Sequence, residues 1–283
     1  MKIHLIETGW FKLDGGAMFG VVPHKLWSQM NPPDESNMCT WSMRCVLVED
    51  GDRKILIDTG MGDKQDNRFR SHFEPHGPHT LNDSLTKIGI HPNSITDVFL
   101  THLHFDHCGG ALVRDSKGNI VPQFPNATYW TNETHLNWAL NPNYREKASF
   151  LKENIVPLIE QKKLSFIDVV DGINFTDNIT VDFYYGHTEA MMVPGIFYGD
   201  KRIVFPTDLL PSAHHVRMPY VMSYDIRPLT TLNEKATFYE KSLDENTYFI
   251  FEHDKDTAMG QLVKNEKGRY NIKAVDAKII LAS

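Results

Sequence analysis

The sequence predicts an α+β fold of two β-sheets with helices on the outside, and three observations predict it. Short segments rich in Val, Ile, Phe and Tyr, bounded by Gly, Asp, Asn or Pro, recur along the chain as strands. Four other stretches place apolar residues at spacings of three and four, the period of a half-buried helix. The strands come in groups broken by single helices, which suits two separate sheets.

The strands are expected at residues 2–8, 42–48, 54–57, 97–100, 127–130, 179–185, 195–198, 203–205 and 248–251. The helices are expected at residues 81–88, 131–140, 144–161 and 232–243. Residues 131–163 form the longest helical block, with Trp138, Leu140, Phe150, Leu151, Ile155, Leu158 and Ile159 set among charges. About 30 residues are too few for a core of their own. The block therefore reads as a helical insertion that packs on the main body and could roof a pocket. No internal repeat or low-complexity tract divides the 283 residues, so we expect one domain over 1–283.

Composition excludes several classes. With 29 Lys and Arg against 36 Asp and Glu, the net charge is −7, and no basic run is long enough to neutralise a row of phosphates. Nucleic acid is therefore not expected as a partner. The three cysteines, Cys39, Cys45 and Cys108, form no C-x-x-C pair and cannot all pair, so they read as free thiols of a reducing compartment. The amino terminus has no signal-peptide pattern and no 18 consecutive apolar residues occur, giving an expected cytoplasmic location with no membrane partner.

The most informative stretch is Val98-Phe-Leu-Thr-His102-Leu-His104-Phe-Asp106-His107-Cys-Gly-Gly110. An apolar strand runs into four potential metal ligands within six positions, and two glycines follow that let the backbone turn closely. Burying three imidazoles and a carboxylate with no ion would cost a few kcal/mol for each unpaired group. On extended backbone His102 and His104 point to the same side and can reach one ion. Asp106 and His107, beyond the bend, can aim at a second.

His102-x-His104-x-Asp106-His107 resembles the signature of the metallo-β-lactamase superfamily, whose fold is an αββα sandwich with two metals at one rim. The resemblance implies three further ligands, and the chain offers each in order at the end of an apolar run: His187 in Gly186-His187-Thr188, Asp208 and His253. It implies His102, His104 and His187 on one metal, Asp106, His107 and His253 on the other, and Asp208 bridging. It also implies that Asp58, in Leu56-Ile-Asp-Thr-Gly60, orients a ligand histidine. Imidazole and carboxylate donors suit two Zn2+ ions, with iron, manganese or cobalt open to the same set.

Two such cations bring the pKa of a shared water towards about 7, so the expected reaction is attack by a metal-bridging hydroxide, with Asp106 passing a proton to the leaving group. The metals alone do not choose among esters, lactones, amides and phosphoesters. Asp14-Gly-Gly-Ala-Met-Phe-Gly-Val-Val-Pro-His-Lys-Leu-Trp27 and Pro206-Thr-Asp-Leu-Leu-Pro-Ser-Ala-His214-His-Val-Arg-Met-Pro219 resemble loops of N-acyl homoserine lactonases and of methyl parathion hydrolase-like enzymes. That resemblance implies a zinc-dependent hydrolase opening N-acyl homoserine lactones, a quorum-quenching lactonase, with phosphotriesterase or another ester hydrolase as the alternative. A metal-binding module without catalysis is the reading of another class. Met18, Phe19 and Trp27 are the candidate contacts for an acyl chain.

Two departures stand out. Homoserine lactonases resemble this chain but carry a tyrosine shortly after the bridging aspartate, where this chain has Leu209, Leu210 and Pro211. His214 is the expected replacement as donor to the developing oxyanion, with His215 next in line. Thr188-Glu-Ala also replaces the Thr-Pro-Gly of many relatives. A homodimer is the expected assembly by base rate.

Overall fold

The computed structural model describes residues 1–282. It divides into two compact units: residues 1–11 with 42–169, and residues 12–41 with 170–282. We call them unit 1 and unit 2.

The strands are β1 (Lys2–Asp14), β2 (Met38–Asp50), β3 (Arg53–Ile57), β4 (Asp97–Phe99), β5 (Leu112–Arg114), β6 (Ile120–Pro122), β7 (Thr128–Thr131), β8 (Leu164–Phe166), β9 (Ile173–Thr176), β10 (Ile179–Tyr184), β11 (Met191–Tyr198), β12 (Lys201–Val204), β13 (Thr247–Ile250), β14 (Met259–Lys264) and β15 (Tyr270–Ala274). The helices are α1 (Gly15–Phe19), α2 (His24–Trp27), α3 (Asn67–Phe73), α4 (Leu81–Lys87), α5 (Phe105–Cys108), α6 (Glu133–Leu140), α7 (Lys152–Glu160), α8 (Pro228–Ser242) and α9 (Ala277–Ile280). No helix among the described residues is long and apolar enough to cross a membrane.

One sheet has six strands in the order β1-β2-β3-β4-β7-β8, with β3, β4, β7 and β8 parallel. Ile55, Leu56 and Ile57 of β3 are all buried, as expected for a parallel strand covered on both faces. The core of unit 1 gathers Leu47, Leu56, Val98, Leu100 and Tyr129 from this region with Leu85 of α4. Residues 131–163 add Leu136, Ala139, Phe150, Ile155 and Leu158 to the same core, so the insertion has no separate one. Its second helix is shorter than the apolar spacing predicts. Asn143 accepts hydrogen bonds from the amides of Arg145 and Glu146 (2.8 and 3.1 Å), and this local turn competes with helix until Lys152.

The second sheet lies in unit 2, has seven strands in the order β15-β14-β13-β12-β11-β10-β9, and is antiparallel except between β12 and β13. Pro228 opens α8 at a position where its missing N–H costs nothing. The helix then buries Thr231, Lys235, Phe238, Tyr239 and Ser242 at helical spacing, and Phe238 and Tyr239 pack with Phe249 and Phe251.

Candidate metal centre

In unit 1 the apolar strand β4 stops at Phe99, and the next nine residues carry His102, His104, Asp106 and His107 through a loop into the single turn of α5. All four are buried. His102 Nε2 and His104 Nδ1 face each other at 3.0 Å, and His107 Nε2 lies 3.8 Å from Asp106 Oδ2. Two donors, each about 2.0–2.1 Å from one zinc ion, lie about 3.4 Å apart at the tetrahedral angle. Each pair therefore has the separation of neighbouring ligands.

The loop is held from four sides. Asp58 adopts a left-handed backbone (φ 58°), accepts from the amide and hydroxyl of Thr101 (2.8 and 2.6 Å), and lies 3.1 Å from His107 Nδ1. That contact puts the His107 proton on Nδ1 and leaves the Nε2 lone pair for a metal. Burial raises the pKa of Asp58, while His107 and Thr101 oppose the rise. From the insertion, His135 Nε2 accepts the Leu103 amide at 2.8 Å, the Ser149 carbonyl accepts the Phe105 amide at 3.0 Å, and Glu146 sits 3.5 Å from His104 Nε2. Gly109 and Gly110 close the loop where any Cβ would collide with the carbonyls of Met61 and Thr59.

In unit 2 the candidate ligands come from three separate places. His187 follows β10, His253 follows β13, and Asp208 lies in the short turn Thr207–Leu209 after β12. Asp208 stands between two imidazoles: Oδ2 is 3.0 Å from His187 Nε2 and Oδ1 is 3.3 Å from His253 Nε2. Thr207, just before it, has φ 47°, rare for a β-branched residue and typical of backbone constrained at a site.

His187 Nδ1 contacts Asp225 Oδ1 at 2.9 Å, the same device as His107 with Asp58. Burial opposes charge on His187, but Asp208 and Asp225 overcome it and raise its pKa to about 10. The turn that carries His187 is fixed by Glu234, which accepts the amides of Tyr185 and Gly186 (2.6 and 3.0 Å). Glu189, at the departure from Thr-Pro-Gly, contacts Arg227 at 2.7 Å, and Arg227 also donates to the Tyr185 carbonyl.

The family model described as the metallo-beta-lactamase superfamily matches residues 44–253, a stretch that contains every ligand named above. The chain belongs to that superfamily. Among curated superfamily members, an N-acyl homoserine lactonase of Bacillus cereus is 25% identical over 169 residues, 56% of this chain and 63% of the relative. The N-acyl homoserine lactonase AiiA of Bacillus thuringiensis subsp. kurstaki is 25% identical over 183 residues, again 63% of its length. The chain thus spans less than two thirds of these curated relatives. The superfamily fold is shared with a probable metal-dependent hydrolase from Staphylococcus aureus (TM-score 0.85, 24% identity, 97% and 98% of the two chains covered). It is shared too with AidC, a dizinc quorum-quenching lactonase solved with its product (TM-score 0.78, 19% identity, 97% and 94% covered).

The remaining expected site residues fare unevenly. The surface expected for an acyl chain at Met18, Phe19 and Trp27 is spent on packing: they are 1%, 0% and 2% exposed. Phe19 stacks on Trp27 (5.6 Å) and on His215 (4.8 Å, planes within 2°). His215 cannot serve as an oxyanion donor. Its Nε2 donates to the Met18 carbonyl (2.9 Å) and its Nδ1 accepts from Ser212 Oγ (2.7 Å), so its one N–H is used, and burial lowers its pKa to about 3. His214 beside it is half-buried.

Five residues were given no role by the sequence. Asp225, Glu146 and His135 act on ligand loops far from them in sequence, and no local spacing marks them. In unit 1, Phe69 and Phe73 of α3 meet Phe105 of the ligand loop with ring centroids 4.5–5.2 Å apart, and Phe69 and Phe73 are half-buried. Their i, i+4 spacing was a signal for one apolar helix face.

Burial pushes the thiols of Cys39 and Cys108 up to about 12, which makes them poor ligands or nucleophiles.

Proposed function

We propose that the protein is a dinuclear zinc hydrolase that opens lactone rings, with N-acyl homoserine lactones as the substrate class. The observation that carries the reading is Asp208, with one carboxylate oxygen directed at each of two imidazoles, the arrangement of a bridging ligand. In this reading His102, His104 and His187 would hold one cation and Asp106, His107 and His253 the other, and Asp208 would be a ligand to both. The donor set is five imidazoles and two carboxylates with no thiolate, which fits zinc and is open to iron, manganese or cobalt. Two such cations would supply a water ionised near neutral pH and a Lewis acid for the attacked carbonyl.

The chain's own groups do the rest. Asp58 and Asp225 keep His107 and His187 in the tautomer that offers Nε2. Asp106 moves the proton to the departing alkoxide oxygen. His214 donates its ring N–H to the oxyanion, the position that His215 cannot fill. Phe69, Phe73 and Phe105 give the acyl tail an apolar wall beside the ligand loop.

The test compares substrates on protein of measured metal content. N-hexanoyl homoserine lactone should be opened faster, by kcat/KM, than methyl paraoxon releases nitrophenol. The reverse ranking favours a phosphotriesterase, and two bound zinc ions with no turnover of either favours a binding module. Substituting His214 by Ala should lower kcat about a hundredfold; unchanged turnover removes His214 from the mechanism.

A further inference from the structure

Unit 2 carries a cavity of about 510 Å³ between the segment after His215 and the β14–β15 hairpin. The volume is within the range of small-molecule sites. Its charge is set against that of the whole chain: the lining holds two cations, Arg217 and Arg269, and no acid, in a protein of net charge −7. Neither guanidinium is paired with a carboxylate among the described residues. Two phenol rings, Tyr220 and Tyr270, and two amides, Asn265 and Asn271, complete the polar and aromatic lining.

The cations and rings are already arranged together. Arg217 lies 5.4 Å from the centroid of Tyr220 and donates to its hydroxyl at 3.1 Å, while Lys264 lies 4.8 Å from the centroid of Tyr270. One wall is rigid for an unusual reason. The ammonium of Lys235, buried in α8, donates to the main-chain carbonyls of His215 (2.6 Å), Arg217 (3.0 Å) and Tyr220 (2.9 Å), and Tyr239 donates to that of Val216 (2.8 Å). A buried cation thus fixes the backbone of 215–220, which presents Arg217 and Tyr220 to the cavity. Burying an ammonium is costly, and burial pushes its pKa down to about 7. The metal ligands in unit 2 have their own supports and do not use this one.

We propose that this cavity is a second ligand site, for a small planar anion: an aromatic ring system bearing a phosphate or carboxylate. The two guanidinium groups supply forked donors for the anionic oxygens. Tyr270, half-buried, supplies aromatic surface for the ring, buried Tyr220 holds Arg217 in place, and the amides supply hydrogen bonds to the ring's edge. The site is independent of the lactonase reading.

Calorimetric titration of the full-length, zinc-loaded protein with adenosine monophosphate, phenyl phosphate and benzoate tests it. At least one should bind saturably, one per chain, and should bind at least about tenfold more tightly than adenosine or inorganic phosphate alone. Arg269→Gln, an exposed position that should fold normally, should weaken that binding about tenfold or more and leave lactone hydrolysis unchanged. Tyr270→Leu should weaken the aromatic anion but not inorganic phosphate. Absence of saturable binding by all three probes overturns the proposal. So does equal affinity in the wild type and Arg269→Gln, which places the anion elsewhere, or binding of a single-stranded oligonucleotide with none of the small probes.

Discussion

The candidate ligands of unit 1 and those of unit 2 are built on different principles. In unit 1 four of them fall within six consecutive positions, on a loop and one helical turn, and neighbouring positions of that one loop, supported by Asp58, His135, Ser149 and Glu146, bring their donors to 3.0 and 3.8 Å. In unit 2 three ligands arrive from the ends of β10, β12 and β13, and sheet order with the carboxylates of Asp225 and Glu234 sets them in place. Each unit thus presents its candidate ligands by its own route, one by a contiguous motif and the other by tertiary construction. Both depend on support from residues distant in sequence, Asp58 and Glu146 in unit 1 and Asp225 and Glu234 in unit 2, but only in unit 1 do the ligands themselves form one motif.

The sharpest way to break that contrast is at Asp208, the residue on which both imidazoles of unit 2 converge. Asp208→Ala should lower kcat/KM by about a thousandfold or more and reduce bound zinc, measured by elemental analysis with lactone hydrolysis. Retained activity would leave unit 2 without its central ligand.

A smaller effect separates scaffold from site. Lys235→Met leaves three main-chain carbonyls short of their donor, and unfolding in urea should show a loss of about 3 kcal/mol. Zinc stoichiometry should be unchanged, since no ligand is touched.

Acid should act on unit 2 through His215. Its imidazole takes up a proton near pH 6.5 when unfolded but near 3 when folded, so the unfolded chain binds more protons between those values. Stability should therefore fall as pH drops below 6.5, by about 3 kcal/mol at pH 4 from this residue. His215→Phe, which keeps the stack on Phe19, should flatten that part of the acid-denaturation curve; an unaltered slope would place the titration elsewhere.

The two supporting aspartates give the finest comparison. Asp225→Asn and Asp58→Asn should each weaken zinc binding about 10- to 100-fold. Only Asp58→Asn should also lower the melting temperature. A buried amide there turns its NH2 towards Thr101 or His107, which already donate, whereas Asp225 has the one imidazole of His187 to satisfy. Equal thermal losses would mean that the two halves are supported alike.

What could be read in the sequence follows the same division. The run from His102 to His107 carries its chemistry in spacing, and Asp58 stands at the end of a strand where its backbone role could be anticipated. Strands such as β3 and β10 announce themselves by apolar content. The β14–β15 hairpin does not: Lys264, Asn265, Glu266 and Lys267 hide its period among charges. Asp225 and Glu146 were invisible because their function lies in contacts made across 38 residues for the pair with His187, and across the insertion for His104. Met18, Phe19 and Trp27 are hard to read for the opposite reason, since apolar side chains next to glycines look alike in sequence whether they line a pocket or fill a core, and here all three are buried.

The account stands most directly on metal stoichiometry. Protein stripped with a chelator and titrated with zinc should bind two ions per chain and regain lactone hydrolysis as the second binds, while metal-free protein stays inactive. Binding of no zinc, or hydrolysis that persists after the metal is removed, would contradict it.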